Sequence, residues 1–299
     1  MDVSVIIATR NRCDKLPATV ARLMSSIVRD GLQWEVVVVD NGSNDDTAKV
    51  CRDFVVRGAG RLLYLYEGKK GKSVALNSGL AAARGRILAF TDDDCIVHPR
   101  WLQSIVEAYD ADRDLAVLGG NVKLLDNRDL PLSLVQVGKA TQLTSPRMLY
   151  PDPPIIGANM AFKKNVFSTV GTFDVRLGPG TDAISEDIDM VYRAFKGGFK
   201  VVTLPTVIVY HDHGRRTDMT RWWEDDEIKD LLHKYFVGRG AFYFKHVLKG
   251  DTAIARMAAE EVLAVCGRIC RLRGLRGELR FLHALAAGAL TRFGRRDRT

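Results

Sequence analysis

The chain has 299 residues, of which 46% are hydrophobic and 27% are charged, so its composition excludes a disordered or fibrous protein. It contains no uninterrupted run of 18 apolar residues, which excludes a conventional membrane-spanning helix. The formal net charge of +8 lies in the C-terminal quarter, because residues 1–228 carry 29 basic and 30 acidic side chains whereas residues 229–299 carry 15 and 6.

Short β-branched runs alternate with amphipathic stretches over the first third of the chain. The pattern predicts strands at residues 3–8, 34–40, 62–67 and 87–91 and helices at 14–28, from 47 onward and at 72–84. The second strand is almost entirely valine, which indicates burial on both faces, as in a parallel sheet. This alternation predicts a three-layer α/β sandwich whose strands end at one common edge. The chain enters its first strand without a signal-peptide pattern, so we expect a cytoplasmic protein.

Polar side chains follow three of these strands. They are Thr9, Arg10, Asn11 and Arg12 after the first strand, Asp40 and Ser43 after the second, and Asp92, Asp93 and Asp94 after the fourth. Adjacent carboxylates repel one another without a cation, and Mg²⁺ or Mn²⁺ accepts carboxylate oxygens while leaving positions open for substrate phosphates. Arginine and backbone amides suit phosphate as well. The strand ends therefore predict a site for a metal-bound phosphorylated ligand, although no G-x-G-x-x-G or P-loop motif is present.

Six segments carry motifs in a fixed order. They are VSVIIATRNR (3–12), VVVVDNGSNDDT (36–47), GKSVALNSGLAAARG (71–85), ILAFTDDDC (87–95), GANMAF (157–162) and SEDIDM (185–190). Together they resemble the family 2 glycosyltransferases of bacterial surface-glycan type. The resemblance covers about residues 1–213 and implies the GT-A fold, a Rossmann-like αβα sandwich with a mostly parallel sheet. We accordingly divide the chain into a catalytic, nucleotide-sugar-binding domain at 1–215 and a basic, mainly helical extension at 216–299.

The resemblance implies a role for each matching residue. Asp92 and Asp94 match the ends of the family's D-x-D, which holds the metal on the nucleotide diphosphate, and Asp93 matches the contact with ribose or sugar. The implied nucleotide pocket comprises Thr9, Arg10, Asn11, Asp40, Ser43 and Lys72. Capping of the following helix is an alternative role for Asp40, and an exposed loop position is an alternative for Lys72.

Glu186 and Asp187 open a predicted helix, where acidic residues also stabilise the helix dipole. The resemblance places this pair beside the acceptor, whose hydroxyl must lose a proton to a carboxylate within hydrogen-bond reach. We assign Asp187 as the general base and keep Glu186 as the alternative. His211, in a predicted strand at 207–214, is expected to contact the metal or diphosphate, with His213 as the alternative.

These features predict a metal-dependent, inverting glycosyltransferase of hexosyl type. It would move one sugar from a nucleotide-diphosphate sugar, with uridine favoured, to a glycan or lipid-linked acceptor in surface polysaccharide biosynthesis. Residues 218–223 lack the glutamine of the Q-x-x-R-W motif of processive relatives, which favours transfer of a single sugar. A sugar-phosphate nucleotidylyltransferase and a non-catalytic scaffold of the same fold are the alternatives.

The tail after residue 229 repeats apolar residues at helical spacing between arginines. Such a basic amphipathic helix favours peripheral contact with an anionic membrane surface, here the inner face of the cell membrane. A helical pair packed on the catalytic domain explains the same pattern. We expect no nucleic-acid partner, because no recognised nucleic-acid-binding signature accompanies the charge.

Overall fold

The computed structural model describes residues 1–58, 60–216, 225–270 and 275–289. Within these ranges nine strands form one mixed sheet. The strands are β1 Val3–Thr9, β2 Trp34–Asp40, β3 Leu62–Tyr66, β4 Ile87–Phe90, β5 Cys95–Val97, β6 Leu115–Leu124, β7 Thr141–Gln142, β8 Met160–Lys163 and β9 Lys200–His211. The helices are α1 Leu16–Met24, α2 Thr47–Arg57, α3 Lys72–Ala82, α4 Trp101–Ala111, α5 Lys164–Val170, α6 Glu186–Lys196, α7 Asp226–Val247, α8 Thr252–Cys270 and α9 Leu275–Ala289.

The sheet has the strand order β3-β2-β1-β4-β8-β6-β9-β5, with β7 beside β9. Of the nine strands in the described residues, β1, β2, β3, β4, β6 and β9 run in one direction and β5, β7 and β8 run in the other. The predicted α/β fold with a mostly parallel sheet is therefore confirmed. The strand predicted at 207–214 is the end of a longer one, β9, which stops at His211.

Alternate residues of the central strands supply two separate apolar layers. Ile6 belongs to the layer that packs on α3 and α6, whereas Val5 and Ile7 belong to the layer that packs on α1 and α4. This alternation follows from the two-residue period of a strand. Burial of both faces explains why β2 reads as a continuous valine run, with every residue of the strand buried.

The three C-terminal helices pack against the catalytic layers. Phe242 of α7, Ile254 of α8 and Phe281 of α9 belong to the same apolar cluster as Phe90 of β4. Glycines allow α7 and α9 to approach closely, since a Cβ on Gly240 would lie 2.2 Å from the carbonyl oxygen of Leu285. These helices therefore match the alternative in which the tail packs on the catalytic domain.

Buried charges fix α7 to α6. Asp189 on α6 is fully buried, and its carboxylate lies 2.8 Å from Lys245 Nζ, 3.0 Å from His246 Nε2 and 2.8 Å from Arg193 Nε. Lys245 also lies 2.8 Å from Asp174. Part of the basic excess in the tail is therefore neutralised inside the protein and does not contribute to a basic surface. No helix among the described residues is both long and apolar enough to cross a membrane.

We expect Asp189→Ala to lower the free energy of unfolding by about 3–5 kcal/mol, because it leaves buried cations without their acceptor. Although burial opposes ionisation, the His246 hydrogen bond and the charges of Lys245 and Arg193 hold the pKa of Asp189 well below its usual range. This contribution is therefore present above the pKa of an unfolded aspartate and is lost as the pH falls below about 4. Urea titrations at pH 7 and pH 3.5 measure both effects.

The matched control is Asp230→Ala, which removes a 60% exposed acid that pairs with Lys234 on the same helix. Its expected cost is about 0.3–0.5 kcal/mol. Equal losses in the two variants would show that the buried network does not hold α7 in place.

Candidate active site

A cleft of about 710 Å³ opens at the edge of the sheet where β1 and β4 end. The acidic loop after β4 forms its floor, and the first turn of α6 lies among the lining residues. A third side comes from α7, through Leu231, Leu232, Tyr235, Phe236 and Arg239. The cleft thus joins the predicted metal site, the predicted base and a wall supplied by the C-terminal extension.

Lys72, the first residue of α3, connects the two groups of acids in the cleft. Its ammonium forms an ion pair with Asp92 and lies 4.0 Å from Glu186 Oε1. Although burial acts against its charge, the carboxylates of Asp92 and Glu186 raise the pKa of Lys72 above its ordinary range. Lys72 is therefore a largely buried cation of the site, and the alternative of an exposed loop lysine does not describe it.

Asp94 forms the centre of the predicted metal site. His211 Nε2 lies 3.2 Å from Asp94 Oδ1, and Arg12 lies 3.6 Å from both Asp93 and Asp94. Burial alone would raise the pKa of Asp94, but the hydrogen bond and charge of His211 lower it to about 2. Asp93 behaves oppositely, because burial and the adjacent Asp94 raise its pKa to about 7. Of these two neighbours, Asp94 is therefore the one whose surroundings favour the ionised carboxylate.

The two candidate histidines have different surroundings. His213 Nε2 faces the carbonyl oxygen of Leu130 at 3.0 Å, and His213 Nδ1 accepts a hydrogen bond from the backbone amide of Arg215. Both nitrogens of His213 are therefore engaged by backbone. His211 lines the cleft, and among the described residues its buried Nδ1 has no hydrogen-bond partner. The structure therefore favours His211, and gives His213 a structural environment.

The residues present fit a divalent cation. Asp92 and Asp94 offer carboxylate oxygens at the cleft, and His211 offers an imidazole with an unsatisfied buried nitrogen. Oxygen ligands with one imidazole suit Mn²⁺, and oxygen ligands alone suit Mg²⁺. Cys95 also lies in this group, with its ligand atom and those of Asp94 and His211 within 4.8 Å of one another. The sequence pattern alone gave Cys95 no role.

The predicted nucleotide-binding residues divide into two sets. Thr9 and Arg10 line the cleft, and their contact with a nucleotide remains a prediction. Asn11 and Ser43 join the two loops beside the cleft, since the backbone amide of Asn11 donates a hydrogen bond to Ser43 Oγ at 2.9 Å. Asp40 is fully buried and accepts hydrogen bonds from the Ser43 amide and the Tyr64 hydroxyl. Asp40 is absent from the cleft lining that the structure describes, so its contact with a nucleotide remains a prediction.

The two candidate bases differ in how the protein holds them. Asp187 accepts a hydrogen bond from the Gly157 amide at 2.7 Å and another from the Ile188 amide at 2.7 Å. Burial raises the pKa of Asp187, and these two amides act in the opposite direction. Glu186 is 3% exposed, and among the described residues its Oε2 has no partner. Burial and the neighbouring Asp187 raise the pKa of Glu186 to about 8.

Most of the cleft wall near α7 was not predicted from the sequence. Tyr150 lines the cleft, meets Phe242 edge to face with ring centroids 5.5 Å apart, and lies under the guanidinium of Arg239 at 4.3 Å. The prolines at positions 151, 153 and 154, just before the GANMAF motif, were the available signal in the sequence. Residues 218–223, which were compared with the Q-x-x-R-W motif, lie outside the described residues.

Comparisons with known proteins agree with this geometry. A family model described as "Glycosyl transferase family 2" matches residues 4–171. An uncharacterized glycosyltransferase of Nostoc sp. is 27% identical over 237 residues, which are 74% of this chain and 67% of that protein. The pre-mycofactocin glycosyltransferase of Mycobacterium tuberculosis is 28% identical over 74% of this chain, but the match spans 44% of that relative.

Solved structures share the fold at low sequence identity. A mannosyltransferase of Pyrobaculum calidifontis, in complex with GDP-Man and Mn²⁺, has a TM-score of 0.57 and 19% identity over 96% of this chain and 85% of its own. TarS 1–349 of S. aureus, in complex with UDP-GlcNAc, has a TM-score of 0.57 and 18% identity over 80% and 66%. The likeness confirms the predicted GT-A fold.

We expect Glu186→Gln to stabilise the protein increasingly as the pH rises. The pKa of Glu186 in the folded state lies above that of an unfolded glutamate, so the folded state binds more protons between about pH 4.5 and 8. Stability is therefore lost as the pH rises through this window, whereas glutamine resembles the protonated form throughout. Thermal unfolding at pH 5 and pH 8 measures the difference, and Glu227→Gln on the exposed first turn of α7 is the control. A Glu186→Gln advantage that is larger at pH 5 would contradict this assignment.

Proposed function

The chain belongs to glycosyl transferase family 2, and on this basis we propose that it is a metal-dependent, inverting enzyme that transfers one hexosyl unit. The donor is a nucleotide-diphosphate sugar, with UDP favoured, and the acceptor is a hydroxyl of a glycan or lipid-linked molecule in surface polysaccharide biosynthesis. One observation carries the proposal. Lys72 joins the acidic loop of Asp92 to the acidic pair at α6, so the predicted donor and acceptor sides meet within a single cleft.

Cations of the chain itself surround the donor side. Arg10, Arg12 and Lys72 line the cleft and suit the negative charges of a diphosphate. Asp94 and His211, with Asp92, would hold the cation, which when bound supplies Lewis-acid stabilisation of the departing diphosphate. Structural relatives with GDP-Man and UDP-GlcNAc support a nucleotide sugar as the donor class.

Asp187 serves as the general base in this proposal. Its two backbone hydrogen bonds orient the carboxylate in the cleft, where it takes the proton of the acceptor hydroxyl. The hydroxyl oxygen then bonds to the anomeric carbon as the bond from that carbon to the diphosphate breaks. A single displacement of this kind inverts the anomeric configuration.

Neither alternative function gains comparable support. Family membership disfavours a sugar-phosphate nucleotidylyltransferase. A non-catalytic scaffold has no need to keep Glu186 buried with an unsatisfied oxygen, whereas a working acid or base group is often held in such an unfavourable environment.

We also propose that the surface of the C-terminal extension contacts a membrane. Leu263 on α8 is 70% exposed and Leu248 after α7 is 55% exposed, which gives the extension apolar side chains at its surface. The arginines that follow residue 267 carry most of the remaining positive charge of the tail. Docking of this region on an anionic leaflet would bring the cleft to a lipid-linked acceptor.

Asp94→Ala should abolish transfer and weaken Mn²⁺-dependent binding of the nucleoside diphosphate by about 10-fold or more, because it removes an anionic ligand from the proposed metal site. Calorimetry with UDP and with GDP, each with and without Mn²⁺, measures the binding. Asp114→Ala, an exposed acid at the opposite edge of the sheet, is the control. Unchanged affinity and turnover in Asp94→Ala would mean that the acidic loop is only a turn.

Asp187→Asn should keep nucleotide affinity within a few-fold and lower turnover by about 10² or more, the usual share of a general base. The amide retains the shape but can accept only one of the two backbone hydrogen bonds through its single oxygen. Unfolding of the variant is therefore measured in parallel. A larger loss of turnover in Glu186→Gln would assign the base to Glu186.

Vesicles rich in acidic lipid should bind the protein in co-sedimentation, and high salt should release it, since screening limits the electrostatic reach to about 8 Å at physiological ionic strength. Equal recovery in the supernatant with neutral and acidic vesicles would end the membrane proposal. Truncation near Gly250 should lower thermal stability in either case, because Ile254 and Phe281 lie in the shared apolar cluster.

A further inference from the structure

The strand pairing beside the acidic loop brings a thiol to the proposed metal site. In the antiparallel pair of β5 and β9, Cys95 lies directly opposite His211. Directly opposed residues project to the same side of a sheet, so their side chains are neighbours. Both approach one atom, Asp94 Oδ1, with His211 Nε2 at 3.2 Å and Cys95 Sγ at 3.9 Å.

These separations are close to those of a tetrahedral zinc site. Zinc bonds of about 2.0–2.1 Å to nitrogen and oxygen and about 2.3 Å to sulfur place tetrahedral ligand atoms roughly 3.3 Å (O to N) and 3.6 Å (O to S) apart. The observed 3.2 and 3.9 Å need little adjustment. No other triad of histidine, cysteine and acid side chains within the described residues has metal-ligand spacing.

The three side chains lie in a protected position beside the cleft. Asp94, Cys95 and His211 are all more than nine-tenths buried. Burial of this kind holds the three ligand atoms close together and limits the access of competing water. Asp94 and His211 line the cleft, which provides a path for the ion.

We propose that Asp94, Cys95 and His211 form a centre that prefers Zn²⁺, in which Cys95 ligates Zn²⁺ but not Mg²⁺ or Mn²⁺. The inference rests on the proposed function, because Asp94 and His211 belong to its metal site. On binding, the thiol releases its proton to solvent and the sulfur lone pair forms the bond to Zn²⁺, with no change of oxidation state. Mg²⁺ and Mn²⁺ prefer oxygen ligands and leave the thiol protonated.

This ligand set predicts that Zn²⁺ competes with the activating ion. Three protein ligands leave one position at a tetrahedral Zn²⁺. A diphosphate that chelates through two oxygens requires two positions, so Zn²⁺ at this centre holds the donor less well than Mn²⁺ does. Cys95 is thus a residue that decides which cation supports donor binding.

Calorimetry with Zn²⁺ alone and Mn²⁺ alone tests the proposal in a background where Cys13, Cys266 and Cys270 are serine, which removes other thiols as zinc ligands. Cys95→Ser should weaken Zn²⁺ binding by about 10-fold or more and change Mn²⁺ binding by less than about three-fold. Cys51→Ser is the matched control, because Cys51 is a buried thiol of the same apolar layer. Equal Zn²⁺ affinity with and without the Cys95 thiol would overturn the inference.

Absorption spectra of the Co²⁺-loaded protein give a readout that does not depend on the folding of Cys95→Ser. A cobalt–thiolate bond produces an intense near-ultraviolet charge-transfer band, which is expected in the background protein and in Cys51→Ser. Its absence from the Co²⁺-loaded background protein would overturn the inference. Failure of Mn²⁺ to bind at all would instead count against the proposed function, so the two failures are distinguishable.

Discussion

The crowding of carboxylates at one edge of the sheet is the constraint on which this site depends. Asp92, Asp94, Glu186 and Asp187 all line one cleft, where they would repel one another strongly without compensation. Lys72 supplies part of that compensation from the first turn of α3. Burial, together with the neighbouring carboxylates, raises the pKa values of Glu186 and Asp187. The diphosphate and cation of the proposed function would therefore enter a site that is already polarised.

Strand-end reasoning located the acidic loop and the two donor-side residues Thr9 and Arg10, because parallel strands end at a common edge whatever the loops do. The same reasoning placed Asp40 at the site, but the Asp40 side chain points into the protein and accepts a hydrogen bond from the Tyr64 hydroxyl. Side-chain direction within a turn depends on partners from other strands, and the sequence pattern does not contain them. The same limit applies to His211 and His213, whose ring nitrogens have different partners: backbone groups for His213 and the Asp94 carboxylate for His211.

The C-terminal extension shows the limit of composition as a guide. Its positive charge predicted a basic surface. Lys245, however, carries its charge in the interior opposite Asp189, and Arg239 is paired with Glu261 beside the cleft. A charge count cannot assign partners that are distant along the chain. The helical spacing of apolar residues was informative, since Phe281 and Leu285 do bury a face of α9. Phe281 and Leu285 pack against the core of the catalytic domain as well as against the other helices.

The position of Tyr150 has a consequence for how enzymes of this kind change over evolutionary time. Its ring is a wall of the cleft and is also part of the aromatic packing that joins α7 to the rest of the protein. A substitution that adapts this wall to a different ligand is therefore also a core substitution, and selection must tolerate the lost stability before it can favour the new specificity. If the wall contacts the acceptor as proposed, acceptor preference should change more slowly than it would with a wall that has no part in the packing of the core.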